Sequence, residues 1–196
     1  MTENRFQMFT DRYARGDMPW DSGVTPPEIR DILAERPPGA ALDLGCGSGT
    51  VMRDLLLAGW RADGVDFVAR ALDLARAKLA DFPPDVWRLA RGDVTRLDSL
   101  SELRPPYDLI IDIGCGHSID KADNAAYARG IARRLRPGGD FMLYASHPRP
   151  ESTVGWTPKQ VERLFEGQLE LYWEQRGDDI AIGAPSSWYR WRKPVQ

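Results

Sequence analysis

Three alternating glycines, Gly45, Gly47 and Gly49, follow the short apolar run Ala40-Ala41-Leu42-Asp43-Leu44, and an acid, Asp66, stands 17 residues after Gly49 at the end of a later run. A third run ends at another acid, Asp93. A bare bend between strand and helix lets a ligand approach the peptide backbone, because each missing Cβ removes a steric wall. An acid closing the second strand is placed to accept from two ribose hydroxyls, each charge-assisted bond contributing roughly 1.5–3 kcal/mol. An acid closing the third can accept from the exocyclic amine of an adenine, with the backbone of Val94 meeting the ring. Glycines at this spacing also serve nicotinamide sites and ligand-free turns, so they decide nothing alone. In company with two acids they point to a bound nucleoside.

Those groups need a scaffold, and the hydrophobic patterning predicts one. Ala40 to Leu44 reads as a strand, the glycines as its turn, and Val51, Met52, Leu55 and Leu56 as the apolar face of a helix. A second strand ends at Gly64-Val65-Asp66, and helical spacing runs from Val68 to Ala80 until Pro83-Pro84 stops it. Asp85 to Ala90 and Tyr107 to Ile113 predict two more strands, the latter rich in isoleucine. A helix over about Ala122 to Leu135, closed by Pro137-Gly138-Gly139, precedes a strand over Phe141 to Ala145. Such alternation predicts an α/β fold, a doubly wound parallel sheet with helices on both faces and ligands at the carboxyl ends of the strands.

The flanks follow from local signals. Thr157-Pro158 predicts the N-cap and first-turn proline of a helix to Glu166, followed by closing strands at about Leu169 to Gln175 and Trp188 to Arg192. At the front, Thr25-Pro26-Pro27-Glu28 has capping-box spacing for a helix to Glu35, preceded by a helix from Thr2 to Arg15. With no strand between them, these two helices are expected to form a lid. The chain of 196 residues then divides into a lid (1–36), a cofactor-binding core (40–146) and a C-terminal substrate-side segment (147–196) of one domain.

Composition excludes several classes of partner. The net charge of −3 and the absence of a basic block argue against nucleic acid and against a polybasic membrane anchor. No apolar stretch approaches bilayer length and no basic, apolar and small-residue sequence opens the chain, so a cytoplasmic monomer or homodimer is expected.

Leu42-Asp43-Leu44-Gly45-Cys46-Gly47-Ser48-Gly49-Thr50, Gly64-Val65-Asp66, Gly92-Asp93-Val94, Tyr107-Asp108-Leu109-Ile110-Ile111 and Leu135-Arg136-Pro137-Gly138-Gly139 resemble, in order, the motifs of class I S-adenosylmethionine-dependent methyltransferases. The resemblance implies a single Rossmann-like sheet of seven strands with the last antiparallel. It also implies S-adenosyl-L-methionine as cofactor, held by Gly45, Cys46, Gly47, Gly49 and Thr50. Asp66 and Phe67 would meet the ribose, Asp93 and Val94 the adenine, Asp43 the methionine moiety, and Ile113 would flank it. Met18-Pro19-Trp20-Asp21-Ser22-Gly23 is similar to a segment preceding the core of thiol, thiopurine, halide and tellurite methyltransferases. Asp112-Ile113-Gly114-Cys115-Gly116-His117 resembles an Asp-x-Gly-x-x-His pattern in some of them. Trp20 would cover the cofactor and face its sulfonium, or staple the lid to the core. The Asn/Asp-Pro-Pro-Tyr segment of the family's enzymes on nucleic-acid bases is replaced by Asp112-Ile113-Gly114-Cys115.

The resemblance therefore implies methyl transfer to a small-molecule acceptor, sulfur or oxygen favoured, by in-line displacement. Such a reaction asks for alignment and dryness, and for a base only if the nucleophile is protonated. Asp112 and His117 are the catalytic candidates, and Tyr13, Tyr144, His147 and Arg149 are candidates for the acceptor pocket. Cys46 and Cys115 are expected as free thiols. Together with His117 and His147 they are zinc-ligand types, but without CxxC or HxxxH spacing no metal is assigned. Three other readings compete: an N-methyltransferase of a small metabolite, a nicotinamide-dependent oxidoreductase, and a cofactor-binding module without turnover. Length, glycine spacing and Asp93 stand against the oxidoreductase.

Overall fold

Strand residues alternate between two apolar layers, and that alternation builds the molecule. The computed structural model describes residues 3–150, 154–179 and 183–195. Strands β1 (Ala40–Leu44), β2 (Arg61–Asp66), β3 (Trp87–Arg91), β4 (Tyr107–Ile113), β5 (Leu135–Ser146), β6 (Glu170–Asp179) and β7 (Ala184–Arg192) form one seven-stranded sheet in the order β3-β2-β1-β4-β5-β7-β6. β1 to β5 run parallel, and β7 lies antiparallel between β5 and β6. Leu42, Leu44, Ile110, Phe141 and Leu143 belong to one core layer with Tyr127 and Ile131 of helix α5 (Asn124–Arg134) and Val161 and Phe165 of α6 (Pro158–Phe165). Ala41, Leu109, Ile111 and Met142 belong to the other, with Met52 and Leu55 of α3 (Thr50–Leu57) and Leu72 of α4 (Ala69–Lys78). Side chains on a strand point alternately to its two faces, so a sheet buried on both sides reads as a continuous apolar run.

The strand order carries the functional consequence. From β1 the chain winds outward through β2 and β3, then returns to place β4 on β1's other side. At such a switch point the connections diverge and leave a crevice at the carboxyl ends. Register aligns those ends, with Leu44 opposite both Val65 and Asp112.

Several expectations need correction. Only α1 (Glu3–Arg15) lies outside the layers; α2 (Pro27–Glu35) buries Ile29 and Ile32 in the core beside α3. Half of the predicted lid is thus core, because its apolar face, Ile29 and Ile32, is buried with the second core layer. Thr2, the predicted start of the first helix, lies outside the described residues. Thr25 does not cap α2: its N-cap is Pro26, and the buried Thr25 Oγ1 has no partner among the described residues. Thr157 does cap α6 through a reciprocal capping box with Gln160. Pro137-Gly138-Gly139 does not close a helix into a loop but lies within the twelve-residue β5, where Gly138 N–H donates to Lys193 C=O. β6 and β7 are longer than their sequence pattern because β7 pairs on both sides, and ladder hydrogen bonds extend strands past their apolar stretch.

Candidate active site

The glycine turn leaves β1 with all three glycines at positive φ, 70°, 53° and 79° at Gly45, Gly47 and Gly49. At two of the three the space of the missing side chain is taken by protein. A Cβ at Gly45 would stand 2.6 Å from Cys115 Cβ, and one at Gly49 would stand 3.0 Å from Ala75 Cβ. Those two glycines admit protein, the first the loop after β4 and the second helix α4. At Gly47 the neighbour is the Tyr13 hydroxyl of α1, 3.0 Å from the same construction.

Asp66 ties the turn to β2. Its Oδ2 accepts from Gly47 N–H at 3.0 Å and its Oδ1 from Val68 N–H at 2.8 Å. Burial pushes its pKa up to about 6, against the pull of those N–H groups and that of Phe67. Each carboxylate oxygen keeps a further lone pair for a hydroxyl. Asp93 caps the 3-10 turn Val94–Ser99 through Oδ1, which accepts from the N–H and the hydroxyl of Thr95, both at 2.8 Å. Its other oxygen takes no donor among the described residues, and Val94 N–H sits at the first position of the turn, where a helix offers no internal acceptor.

Asp43 and Asp112 differ sharply despite standing on neighbouring strands. Asp112 is fully buried and accepts from Cys115 N–H at 2.8 Å, Gly116 N–H at 2.9 Å and Tyr127 Oη–H at 2.6 Å, with burial raising its pKa to about 6. With every oxygen engaged, it holds the loop after β4 rather than offering a base to an acceptor. Asp43 is also buried but receives no hydrogen bond among the described residues. Desolvation, then the charges of Asp112 and Asp66, push it up to about 8. Replacing Tyr127 by phenylalanine should strip Asp112 of its one side-chain donor and cost about 1–3 kcal/mol in urea denaturation, with the fold retained by circular dichroism.

The N-terminal segment closes over this end. Phe6 and Phe9 of α1 meet Phe67 at ring-centroid distances of 5.5 and 5.8 Å, and Arg5 donates through Nη1 to Ser118 C=O beyond β4. Trp20 packs edge-on against Phe9 and Tyr13, its Nε1–H donating to Tyr13 Oη at 3.4 Å. Arg12 lies 4.7 Å over the indole, so a protein cation already holds one ring face, and Trp20 remains 44% exposed. In this arrangement Trp20 staples the segment to itself and to Tyr13. Thr50 Oγ1 donates to Asp21 Oδ1 at 3.4 Å.

On the β4–β5 side, His117 accepts from Ser146 N–H at Nδ1 (3.2 Å), which fixes the proton on Nε2, 3.3 Å from Ser146 Oγ. Burial lowers its pKa to about 4. Tyr144, beside His117, donates to Asp179 at the end of β6. His147 pairs with Ser187 Oγ at 3.0 Å, and Arg149 is exposed on the following loop. Ile113 is half-buried at the end of β4. Cys46 packs in one core layer and Cys115 against the other, both as free thiols, and among the described residues no three His, Cys, Asp or Glu converge on a common point. A surface cavity of about 500 Å³ lies elsewhere, at the β3 edge between Arg76, Trp87, Arg88 and Arg104.

The polar groups still open among the described residues fit the adenosyl donor: a buried carboxyl at Asp43 that accepts no hydrogen bond, acceptor capacity at Asp66 and Asp93, and the Val94 N–H at the first position of its turn. Residues 42–141 match the family model described as a methyltransferase domain, about half of the chain. The chain belongs to the methyltransferase family. Its donor is S-adenosylmethionine, as the resemblance implied. The methyltransferase is 28% identical over 198 residues to 2-heptyl-1-hydroxyquinolin-4(1H)-one methyltransferase of Mycobacteroides abscessus, covering 92% of this chain and 82% of that one. Its fold is shared with N-methyltransferase NodS of Bradyrhizobium japonicum in complex with S-adenosylhomocysteine (TM-score 0.77, 16% identity, 97% and 99% of the two chains). It is shared equally with 1,6-didemethyltoxoflavin-N1-methyltransferase of Burkholderia thailandensis (TM-score 0.76, 21% identity, 97% and 87%).

Four residues that contact the candidate site carry no signal in the sequence: Arg5, Lys78, Tyr127 and Asp179. Lys78 and Tyr127 sit at ordinary helical spacing, where a cation in a last turn and an aromatic on an apolar face read as routine. Their partners lie 28 to 30 residues away for Lys78 and 15 for Tyr127. No local pattern marks such contacts.

Proposed function

We propose that the methyltransferase acts on a small-molecule nucleophile, a thiol or hydroxyl in first place, by in-line displacement. The observation that carries this is Asp43, a buried carboxyl at the sheet's switch point that accepts no hydrogen bond among the described residues. Burying such a group is costly unless a ligand completes it, and a donor cation does so. When bound, the sulfonium supplies an activated methyl group with a neutral leaving group. Gly47 and the turn carry the backbone against it, Asp66 and Phe67 hold the ribose, and Asp93 with Val94 hold the adenine. Cys46, Gly45, Gly49 and Thr50 keep the turn in shape, and Ile113 walls the methyl side. Tyr13 and Trp20 exclude water, which strengthens every polar contact beneath them.

In our reading the acceptor enters between His117, Tyr144, His147 and Arg149. His117 has both ring nitrogens turned to Ser146, so it orients rather than deprotonates, and Asp112 fixes the loop that carries it. An ionised thiol or an acidic hydroxyl then needs no protein base at neutral pH. The Mycobacteroides relative, named for a hydroxyquinolone, supports this class. A neutral nitrogen acceptor is the second reading, favoured by the same lack of a free base. His117→Gln should lower kcat/KM by less than about tenfold and leave the pH profile in place, whereas loss of a general base would cost about 10²–10⁴.

Two experiments test the proposal. Thermal shifts with S-adenosylhomocysteine and NADH in parallel should show stabilisation by the former, and a shift by NADH alone would overturn the reading. A panel of thiols, phenols, carboxylates and amines with labelled methyl donor, read by mass spectrometry, should give labelled thioether or ether. Labelling confined to amines would transfer the function to the second reading, and no labelling with donor still bound would leave a silent binding module.

A further inference from the structure

We propose that Lys78 is a positioning residue for the cofactor turn, acting through Thr50 on Asp21 so that filling the turn and closing the N-terminal segment are coupled. The proposal rests on the reading that the donor lies at Gly45–Gly49. Lys78 ends α4, and its Nζ donates to Ser48 Oγ at 2.7 Å and to Thr50 Oγ1 at 2.6 Å. Those residues flank Gly49, whose bare Cα lies against Ala75, one turn earlier on the same helix. One helix thus grips the turn twice, by close packing and by an ammonium.

The direction of the hydrogen bonds gives the coupling. A lysine ammonium can only donate, so Thr50 Oγ1 accepts from it and keeps its own proton to give away. Ser48 Oγ and Asp21 Oδ1 both stand 3.4 Å from that hydroxyl, and the carboxylate is the stronger acceptor, so the proton turned to Asp21 completes a cation–hydroxyl–carboxylate chain, in effect an ion pair bridged by Thr50. Bonds in such a chain polarise one another. The Lys78 side is tight and the Asp21 side long, so the slack lies toward the N-terminal segment. That segment touches the turn at a second point, because Trp20, next to Asp21, binds Tyr13, whose hydroxyl stands over Gly47. A ligand that orders Gly47 to Thr50 therefore draws Asp21 and Tyr13 onto the turn together. Neither Lys78 nor Asp21 needs to touch the ligand for this.

The test combines calorimetric binding of S-adenosylhomocysteine with backbone hydrogen exchange in Lys78→Met, Lys78→Arg, Asp21→Asn and the double variant Lys78→Met/Asp21→Asn. Lys78→Met, which removes both ammonium bonds to the turn, should weaken binding about tenfold, and Lys78→Arg should restore most of it. The double variant should bind no more weakly than Lys78→Met alone, since Asp21→Asn removes only the charge at the far end of the chain that Lys78→Met already breaks. In the unliganded protein Lys78→Met should speed exchange in residues 18–24, and Asp21→Asn should speed it in 48–50, while β4 and β5 stay protected. Wild-type affinity in Lys78→Met, or full additivity of the two substitutions, overturns the proposal. If Lys78→Met melts early, Lys78→Arg and Asp21→Asn still decide it, because unchanged exchange at 48–50 in Asp21→Asn is equally fatal. Failure of the wild type to bind S-adenosylhomocysteine would instead refute the cofactor reading, and the unliganded exchange data would still judge the coupling.

Discussion

Asp66→Ala weakens S-adenosylhomocysteine binding by about thirty-fold or more in isothermal calorimetry at pH 8, the largest single effect expected on affinity. In the proposed pose the substitution removes two acceptors for ribose hydroxyls, and it also frees Gly47 N–H and Val68 N–H, which Asp66 holds at 3.0 and 2.8 Å. The turn then loses its tether to β2, so the loss exceeds what two ligand bonds alone would give. Asp66→Asn separates the contributions. Its amide oxygen can replace one acceptor, but its NH₂ must face one of those two N–H donors. The pH dependence follows from the pKa of about 6 that burial imposes on Asp66. If the ionised carboxylate holds the ribose as proposed, affinity should be flat above pH 7 and fall toward tenfold per unit below 6. Unchanged affinity in Asp66→Ala would show that the ribose lies elsewhere.

Asp43→Asn should make the unliganded protein more stable and a poorer binder. Desolvation and the neighbouring Asp112 and Asp66 raise Asp43 from its ordinary 3.8 to about 8. A carboxyl whose folded pKa is raised binds more protons when folded than when unfolded between those values. Stability then falls as pH rises through the window from about 4 to 8 and is unaffected below it. Asparagine removes this penalty, so Asp43→Asn should gain about 2 kcal/mol or more at pH 8.5 in denaturant titrations and little at pH 4. Its cost appears in function, with S-adenosylmethionine affinity lower by about tenfold or more as a charge-assisted contact becomes neutral. Binding a cation against Asp43 also expels its proton near pH 7, which makes the binding enthalpy depend on the buffer's ionisation enthalpy. That dependence should shrink in Asp43→Asn. Equal stability of wild type and variant at pH 8.5 would mean that Asp43 is ionised and paired without ligand.

The part of this site that was legible in sequence is the part fixed by neighbours in the chain. β4 spans Tyr107–Ile113 as the isoleucine-rich run requires, and Thr157 caps α6 with Gln160, because backbone geometry and an i to i+3 bond settle both. The order of strand, glycine turn and acid placed Asp43, Asp66 and Asp93 at strand ends, and parallel winding brought those ends together. Thr25 shows the limit of the same logic, since its capping-box spacing is intact while the neighbouring proline takes the cap and the hydroxyl is buried.

By itself, then, the sequence determined an α/β methyltransferase with acids at the ends of its first three strands, since period, turn chemistry and winding rules act over short stretches of chain. Tertiary structure alone decided which of those groups are free. It filled Gly45 with Cys115 and Gly49 with Ala75, saturated Asp112 with Tyr127 and two N–H groups, turned His117 onto Ser146, and left Asp43 without a donor among the described residues. Those partners come from elements far apart in the chain, and a side chain's chemistry depends on which of its hydrogen-bonding sites the rest of the fold has already used.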